Sequence, residues 1–384
     1  MKEKLTSRER VLRALNHQEP DRVPFDLSLT VDIYHRLRAH LGLPPEPDKK
    51  TGLWTEVSLG LDVLDAMQLD IYYTSLAGPS QPRIQPPADG LIYDEWGIGR
   101  TRITRPDGSF YYEMVKHPLA GASLQDIADY PWPDPYDPGR VAGLREKLLR
   151  IRQETDKAIM VKFSNSIWEQ SWWLYGMEPW MIDLVANPEI PCAIMDRVCD
   201  VAVGLMTVGL NAVGDLVDIV RLSGEDLGTQ RAPMISPRTF DTLVRPRFER
   251  LWRAAKDGLR ARGSAAKLMM HSCGAVRPFI PMWIEMGLDV LDPIQPGVAG
   301  MEPEGLKRDF GHQLVFHGGI DIQKVLRSGA PSEVMAEVRR YIRALAPGGG
   351  YIVAPAHNVQ SDVPPENLVA IRDAIAAYGH YPIE

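Results

Sequence analysis

Beyond residue 140, short apolar runs alternate with longer stretches in which apolar residues recur every three or four positions. The runs are 158–163, 216–222, 267–270, 288–292, 313–317 and 351–354. Strands of this length separated by helices predict βαβ units, whose right-handed crossovers lay the strands side by side in a parallel sheet. Nearer the start, Thr6 and Glu9 have capping-box spacing and Val11, Leu12 and Leu15 form an apolar stripe, which predicts an amphipathic helix over 7–16. Glu19-Pro20 ends it. Arg22–Phe25 reads as a short first strand, followed by a helix over 31–41. Residues 77–140 differ, being dense in Pro and Gly; there Arg100–Thr104 and Phe110–Val115 flank Pro106-Asp107-Gly108, which predicts an antiparallel excursion. The stretch Tyr130-Pro131-Trp132-Pro133-Asp134-Pro135 excludes helix and central strand, and returns the chain to the main fold.

The residues just past each run sharpen this picture. They are Ser164-Asn165, Ser223-Gly224-Glu225-Asp226, His271-Ser272-Cys273, Asp292-Pro293, Gly318-Gly319-Ile320-Asp321 and His357-Asn358. Loop polarity alone predicts Lys, Glu and Ser, whereas these positions carry His, Cys, Asp and Gly. Chemically able groups at strand C-termini are where a (β/α)₈ barrel keeps its active site. The fold expected is therefore an α/β chain forming a (β/α)₈ TIM barrel, with an N-terminal helical cap and an antiparallel insertion or lid over 77–140. The 384 residues leave one or two domains open, and a single barrel domain over 1–384 is the simpler reading.

Composition narrows the function classes. A net charge of −7 gives no basic footprint for nucleic acid, so small-molecule chemistry is expected. The start MKEKLTSRER has no apolar segment after it, and the apolar stretch from Val201 to Gly214 is too short to span a bilayer. These point to a cytoplasmic protein without a membrane role. Three cysteines cannot build a disulfide framework, and Cys192 and Cys199 read as core residues of one helix. There is no Walker A loop, no strand–GxGxxG–helix fingerprint and no GxSxG elbow.

The chemistry-bearing feature is His271-Ser272-Cys273 followed by the distant His357. Two imidazoles and a thiolate suit Zn²⁺, and with both segments ending strands of one barrel they leave a fourth position open, as a catalytic zinc requires. An isolated His-x-Cys is more often a packing element, so spacing alone leaves both readings open. Glu225 is the candidate fourth ligand or general acid/base, beside the reading of a helix cap. Asp321 follows two glycines that permit close backbone approach, and a helix N-cap explains it equally. Asn165 is placed to position substrate. Trp168, Trp172, Trp173 and Tyr175 suggest an aromatic wall, although aromatics at helical spacing usually belong to a core. Gln360 and Asp362 are candidates to orient an imidazole, and Asp94 and Trp96 to cover the cleft.

Five segments in order resemble the uroporphyrinogen decarboxylase superfamily over nearly the whole chain. They are Thr6-Ser7-Arg8-Glu9-Arg10-Val11 with Pro20-Asp21-Arg22-Val23-Pro24, Ser236-Pro237-Arg238-Thr239-Phe240, His271-Ser272-Cys273-Gly274, Gly319-Ile320-Asp321 and Pro364-Pro365-Glu366-Asn367-Leu368. The resemblance implies a (β/α)₈ barrel with its cleft at the C-terminal face. True decarboxylases of this superfamily are cofactor-free and carry arginines near the first strand for a tetrapyrrole's carboxylates. The stretch Phe25-Asp26-Leu27-Ser28-Leu29-Thr30 has none, which speaks against that substrate. The other branch comprises zinc-dependent methyltransferases that work with methylcorrinoid proteins, with ligands in a His-x-Cys pair and a distant Cys. The pair matches His271 and Cys273; the distant Cys is replaced by His357, a residue also compatible with decarboxylases. Two imidazoles and one thiolate leave zinc a net positive charge, hence a harder Lewis acid suited to the oxygen of a methyl ether or alcohol. The expected activity is methyl transfer between a small methylated substrate or acceptor and a methylcorrinoid protein. The expected cofactors are Zn²⁺ and a corrinoid supplied by a cobalamin-binding partner, since the chain has no Asp-x-His-x-x-Gly segment. The alternatives are a decarboxylase acting on a tetrapyrrole or another acid, and a non-catalytic corrinoid- or tetrapyrrole-binding protein. A homodimer is left open.

Overall fold

The computed structural model describes residues 5–46, 56–81, 90–105 and 108–384. Its strands are β1 (Ile71–Ser75), β2 (Ile92–Tyr93), β3 (Gly99–Thr104), β4 (Phe110–Lys116), β5 (Ala158–Lys162), β6 (Ile219–Gly224), β7 (Lys267–His271), β8 (Val290–Ile294), β9 (Val315–Ile320) and β10 (Tyr351–Pro355). Seven of them form a parallel sheet in the order β1-β5-β6-β7-β8-β9-β10. Each of the six runs predicted beyond residue 140 contributes one strand, shifted by a few residues at most. The strands are almost wholly buried, as a parallel sheet covered by crossover helices requires.

Two elements differ from expectation. β1 was not foreseen, because Ile-Tyr-Tyr-Thr-Ser is brief and shows no two-residue alternation. Arg22–Phe25 is extended but makes only isolated bridges, Arg22 with His380 and Phe25 with Val353. Pro20 and Pro24 lack the N–H groups that a continuous ladder needs. The segment nevertheless reaches both edges of the curled sheet: Asp26 N–H donates to the Val353 carbonyl at 2.9 Å, and Asp70 N–H donates to the Phe25 carbonyl at 2.9 Å. The fold is thus TIM-barrel-like, with the extended segment lying between β1 and β10.

Helix α1 (Ser7–Leu15) starts at the capping box read from the sequence, with Glu9 N–H donating to Thr6 Oγ1 and Thr6 N–H to the Glu9 carboxylate. Its Val11 and Leu15 belong to a buried cluster with Ile71, Ala158, Met160, Ile219, Met269, Val290, Val315 and Ile352, residues from every strand of the parallel sheet. A buried ion network fixes the same end of the fold. Asp70 accepts from Arg10 Nη1 at 2.7 Å, from Arg22 Nη1 at 2.7 Å and from Phe25 N–H at 2.9 Å. β2, β3 and β4 form a separate antiparallel sheet, the predicted excursion, in which Thr104 pairs with Phe110. Pro106 and Asp107 of its foreseen turn lie outside the described residues. No helix among the described residues is long and apolar enough to cross a membrane.

Removing one partner of a buried, hydrogen-bonded charge cluster strands the others without water. Asp70→Ala is therefore expected to destabilise the protein by about 3–5 kcal/mol, seen as a lower urea midpoint. An unchanged midpoint would show that the network carries no stability.

Candidate metal centre

β7 alternates its side chains between two faces, so His271 and Cys273, two residues apart, point to the same side while Ser272 turns away. Hydrogen bonds hold this hook. Ser272 Oγ donates to the Glu225 carbonyl at 2.6 Å, and Ser272 N–H donates to the Asp292 carbonyl at 2.7 Å. Cys273 N–H donates to Asp226 Oδ1 at 2.7 Å. Gly274 follows at φ +87°, and a Cβ there would lie 2.4 Å from the Gly228 backbone, so only glycine fits. His357 arrives from the end of β10. One nitrogen of each imidazole and the Cys273 sulfur all lie within 4.8 Å of one another. Cys273 Sγ is 3.2 Å from His271 Nε2, and the two imidazole centroids are 5.6 Å apart.

Behind this cluster runs a chain of buried polar groups. His271 Nδ1 meets Asp292 Oδ2 at 2.9 Å, Asp292 Oδ1 meets His317 Nδ1 at 2.8 Å, and His317 Nε2 meets Asp26 Oδ2 at 3.1 Å. Asp292, within β8, thereby holds His271 through its Nδ1 and turns Nε2 toward Cys273 and His357. Burial alone would raise the Asp292 carboxyl, but the His317 and His271 imidazoles outweigh it and hold it well below the usual range. Burial likewise opposes protonation of His317, yet Asp292 and Asp26 lift it to about 9. Burial pushes the Cys273 thiol up, against the attraction of His271.

The cluster opens into a cavity of about 370 Å³. Its walls include Lys162 of β5, Arg221 of β6, Asp226 just past β6, Glu169 and Trp173 of the helix Trp168–Tyr175, and residues 109–112 at the start of β4. Gln360 lies on this wall, accepting from Arg105 Nη1 at 3.1 Å. The arrangement converges three ligating atoms beside a chamber large enough for a small organic molecule.

Other candidate residues have different surroundings. The Glu225 carboxylate points away from the cluster, accepting from Ile167 N–H at 2.7 Å, Trp168 N–H at 2.7 Å and Ser166 Oγ at 2.9 Å. It caps the helix Trp168–Tyr175, and burial lifts it to about 8 against those three donors. Its neighbour Asp226, rather than Glu225, approaches the His271, Cys273 and His357 cluster, 3.7 Å from His271 Nε2. Asp321 Oδ1 accepts from Gln323 and Lys324 N–H, a turn cap beside a smaller cleft shared with Cys273 and His357. Asn165 Nδ2 donates to the Ser166 carbonyl. Trp168 is fully buried, edge-on to Trp180, and Tyr175 donates to Asp183. Of the four aromatics only Trp173 lines the chamber; Trp172 stands edge-on to it at 5.8 Å. Asp362 pairs with Arg327 at 3.2 Å rather than with an imidazole. Asp94 accepts from Trp96 and Ile98 N–H, and Trp96 packs on Trp132, so the covering wall comes from Arg105 and residues 109–112 instead.

Asp26, Asp292 and His317 were not singled out as site residues, nor were Lys162 and Arg221. The signal was present: each is a polar residue within or beside an otherwise apolar run. Lys162 interrupts 158–163, Arg221 interrupts 216–222, and Asp292 and His317 end theirs.

Residues 113–378 match the model of the family described as Uroporphyrinogen decarboxylase (URO-D), and the chain belongs to that family. A structure described as a methyltransferase from Methanosarcina mazei superposes with a TM-score of 0.70 at 16% identity, over 98% of this chain and 99% of that one. The Penicillium canescens endo-1,4-beta-xylanase XylE aligns at 10% identity over 60% of this chain and 78% of its own, with a TM-score of 0.38. Among curated proteins none matches.

Folding raises His317 from its ordinary 6.5 to about 9, so its stabilising contribution is complete below pH 6.5 and is lost as pH rises through about 9. Thermal melting of metal-free wild type against His317→Gln should show the gap between them closing over that interval. A gap independent of pH would refute the charge assignment.

Proposed function

We propose that this protein is a zinc-dependent methyltransferase that exchanges a methyl group between a small substrate and a corrinoid held by a partner protein. The observation that carries this reading is the convergence of His271, Cys273 and His357 within 4.8 Å at the mouth of the fold. We read the extended segment beside β10 as the eighth stave of a (β/α)₈ barrel and α1 as its cap, so that this mouth is the barrel's C-terminal face.

The donor set fits zinc. Two imidazole nitrogens and a sulfur are borderline and soft ligands, and His271 has the carboxylate partner typical of zinc-bound histidine in Asp292. His271, Cys273 and His357 would hold the ion; Asp226 stands beside them as a candidate fourth ligand. When bound, zinc supplies Lewis acidity toward a heteroatom of the substrate. The protein's own groups do the rest. Asp292 orients His271, Trp173 and the antiparallel sheet narrow the chamber and shield it from water, and the chamber aligns the methyl-bearing atom toward an incoming corrinoid. With two imidazoles in the set, an ether or alcohol oxygen is the favoured heteroatom. A tetrapyrrole decarboxylase has no use for these three ligands, and the Phe25–Thr30 stretch lacks its arginines.

Elemental analysis of the purified protein is expected to find about one zinc per chain, abolished in Cys273→Ala. In Asp292→Ala zinc affinity should fall about 10–100-fold. With cob(I)alamin and an aryl methyl ether, the zinc-loaded protein should produce methylcob(III)alamin absorbance, the methyl passing to cobalt and the phenol leaving protonated. Absence of stoichiometric zinc, or carbon dioxide release from a porphyrinogen by metal-free protein, would overturn the reading.

A further inference from the structure

Lys162, the last residue of β5, and Arg221, within β6, are direct register partners. Both side chains line the chamber next to the ligand cluster. Arg221 also pairs across the sheet with Met269, two residues before His271 on β7. That offset is about 7 Å along a strand, so one small molecule can reach from the cations to the cluster.

The two cations are matched unequally within the protein, Arg221 by Asp292, Glu56 and the Tyr73 hydroxyl, Lys162 by no direct partner among the described residues. Arg221 approaches Asp292 only at 3.5 Å and Glu56 at 3.8 Å, while its guanidinium lies over the Tyr73 ring at 5.3 Å. The Lys162 ammonium feels Glu56 and Glu169 at a distance and makes no hydrogen bond or ion pair among the described residues. Glu56 accepts from Ser28 Oγ at 2.7 Å and Asp226 from Cys273 N–H at 2.7 Å. Glu169 is held well above the usual carboxylate range, first by burial and then by Asp226 and Glu225. Burial lowers Lys162 from its ordinary value, a cost that an anion beside it would relieve. Lys162 is therefore a cation on the chamber wall without a partner among the described residues.

We infer that Lys162 and Arg221 form a carboxylate-binding subsite, and that the small substrate is an organic acid whose carboxylate they hold while its methyl-bearing heteroatom faces His271, Cys273 and His357. The inference names the substrate class for the function proposed above and rests on that reading for the heteroatom alone. The cation pair stands without zinc. Arg221 supplies a planar fork that meets two carboxylate oxygens at once, and Lys162 a point charge beside it. Binding the acid group away from the reacting end fixes the substrate's orientation, which a symmetric apolar chamber could not do.

Benzoate and its neutral isostere benzamide, titrated by calorimetry into metal-stripped and zinc-loaded protein, test the subsite. Wild type should bind benzoate at least about tenfold more tightly in both forms, as a charge-assisted hydrogen-bonded pair gives. Lys162→Met and Arg221→Met should each bring the ratio close to one with benzamide affinity unchanged. If either variant melts early, Lys162→Gln or Arg221→Gln takes its place. A wild-type ratio near one, a ratio that survives both substitutions, or a preference seen only with zinc present would overturn the inference, the last because the carboxylate would then sit on the ion. Failure to bind zinc with the benzoate preference intact would sink the methyltransferase reading and leave the subsite standing.

Discussion

One buried carboxylate organises the candidate site. Asp292 touches the His271 and His317 rings, and its own backbone carbonyl accepts from Ser272 N–H, the residue between His271 and Cys273. An anion in that position is costly without partners, and two imidazoles supply them. The same contacts decide which nitrogen of His271 faces the cluster. Orientation of a ligand, charge of the relay and shape of the strand end are thus a single physical arrangement rather than three.

The curled parallel sheet makes this arrangement possible. Parallel strands bring all their C-termini to one end, so residues separated by 86 positions, such as His271 and His357, meet without long loops. The opposite end bears the stabilising features: α1 packed on the strand interiors, and Asp70 clasped by Arg10 and Arg22. Stability and chemistry occupy opposite ends, which leaves the chamber free to hold imperfectly matched charges. Lys162 and Arg221 would be a liability at the α1 end. At the chamber they are available to a ligand.

Much of the fold was legible in the linear pattern, because a two-residue or four-residue period is a local property of the chain. Six of the seven parallel strands and α1 with its capping box follow from it. β1 escaped because five residues buried along most of their length show no alternation. Of the site, His271, Cys273 and His357 were legible because their residue types are rare and chemically pointed. Glu225 was misleading for a physical reason: it sits at a strand end where catalytic groups gather, yet local geometry turns its carboxylate onto the start of a helix. The adjacent Asp226 faces the other way. A one-residue step reverses the direction of a side chain in extended structure, and composition cannot say which of two neighbouring acids faces the cleft.

The sequence by itself determined the alternation of strands and helices, the family's motifs and the chemical kind of the ligand set, since these depend on residue identity and short-range spacing. Only the tertiary structure decided that Asp26, His317 and Asp292 join in line behind His271, that Asp226 and not Glu225 stands beside the thiol, and that Lys162 and Arg221 face one chamber. These are facts of register between strands far apart in the chain. Register is set by how whole strands pack and twist against one another, and no local pattern carries that information.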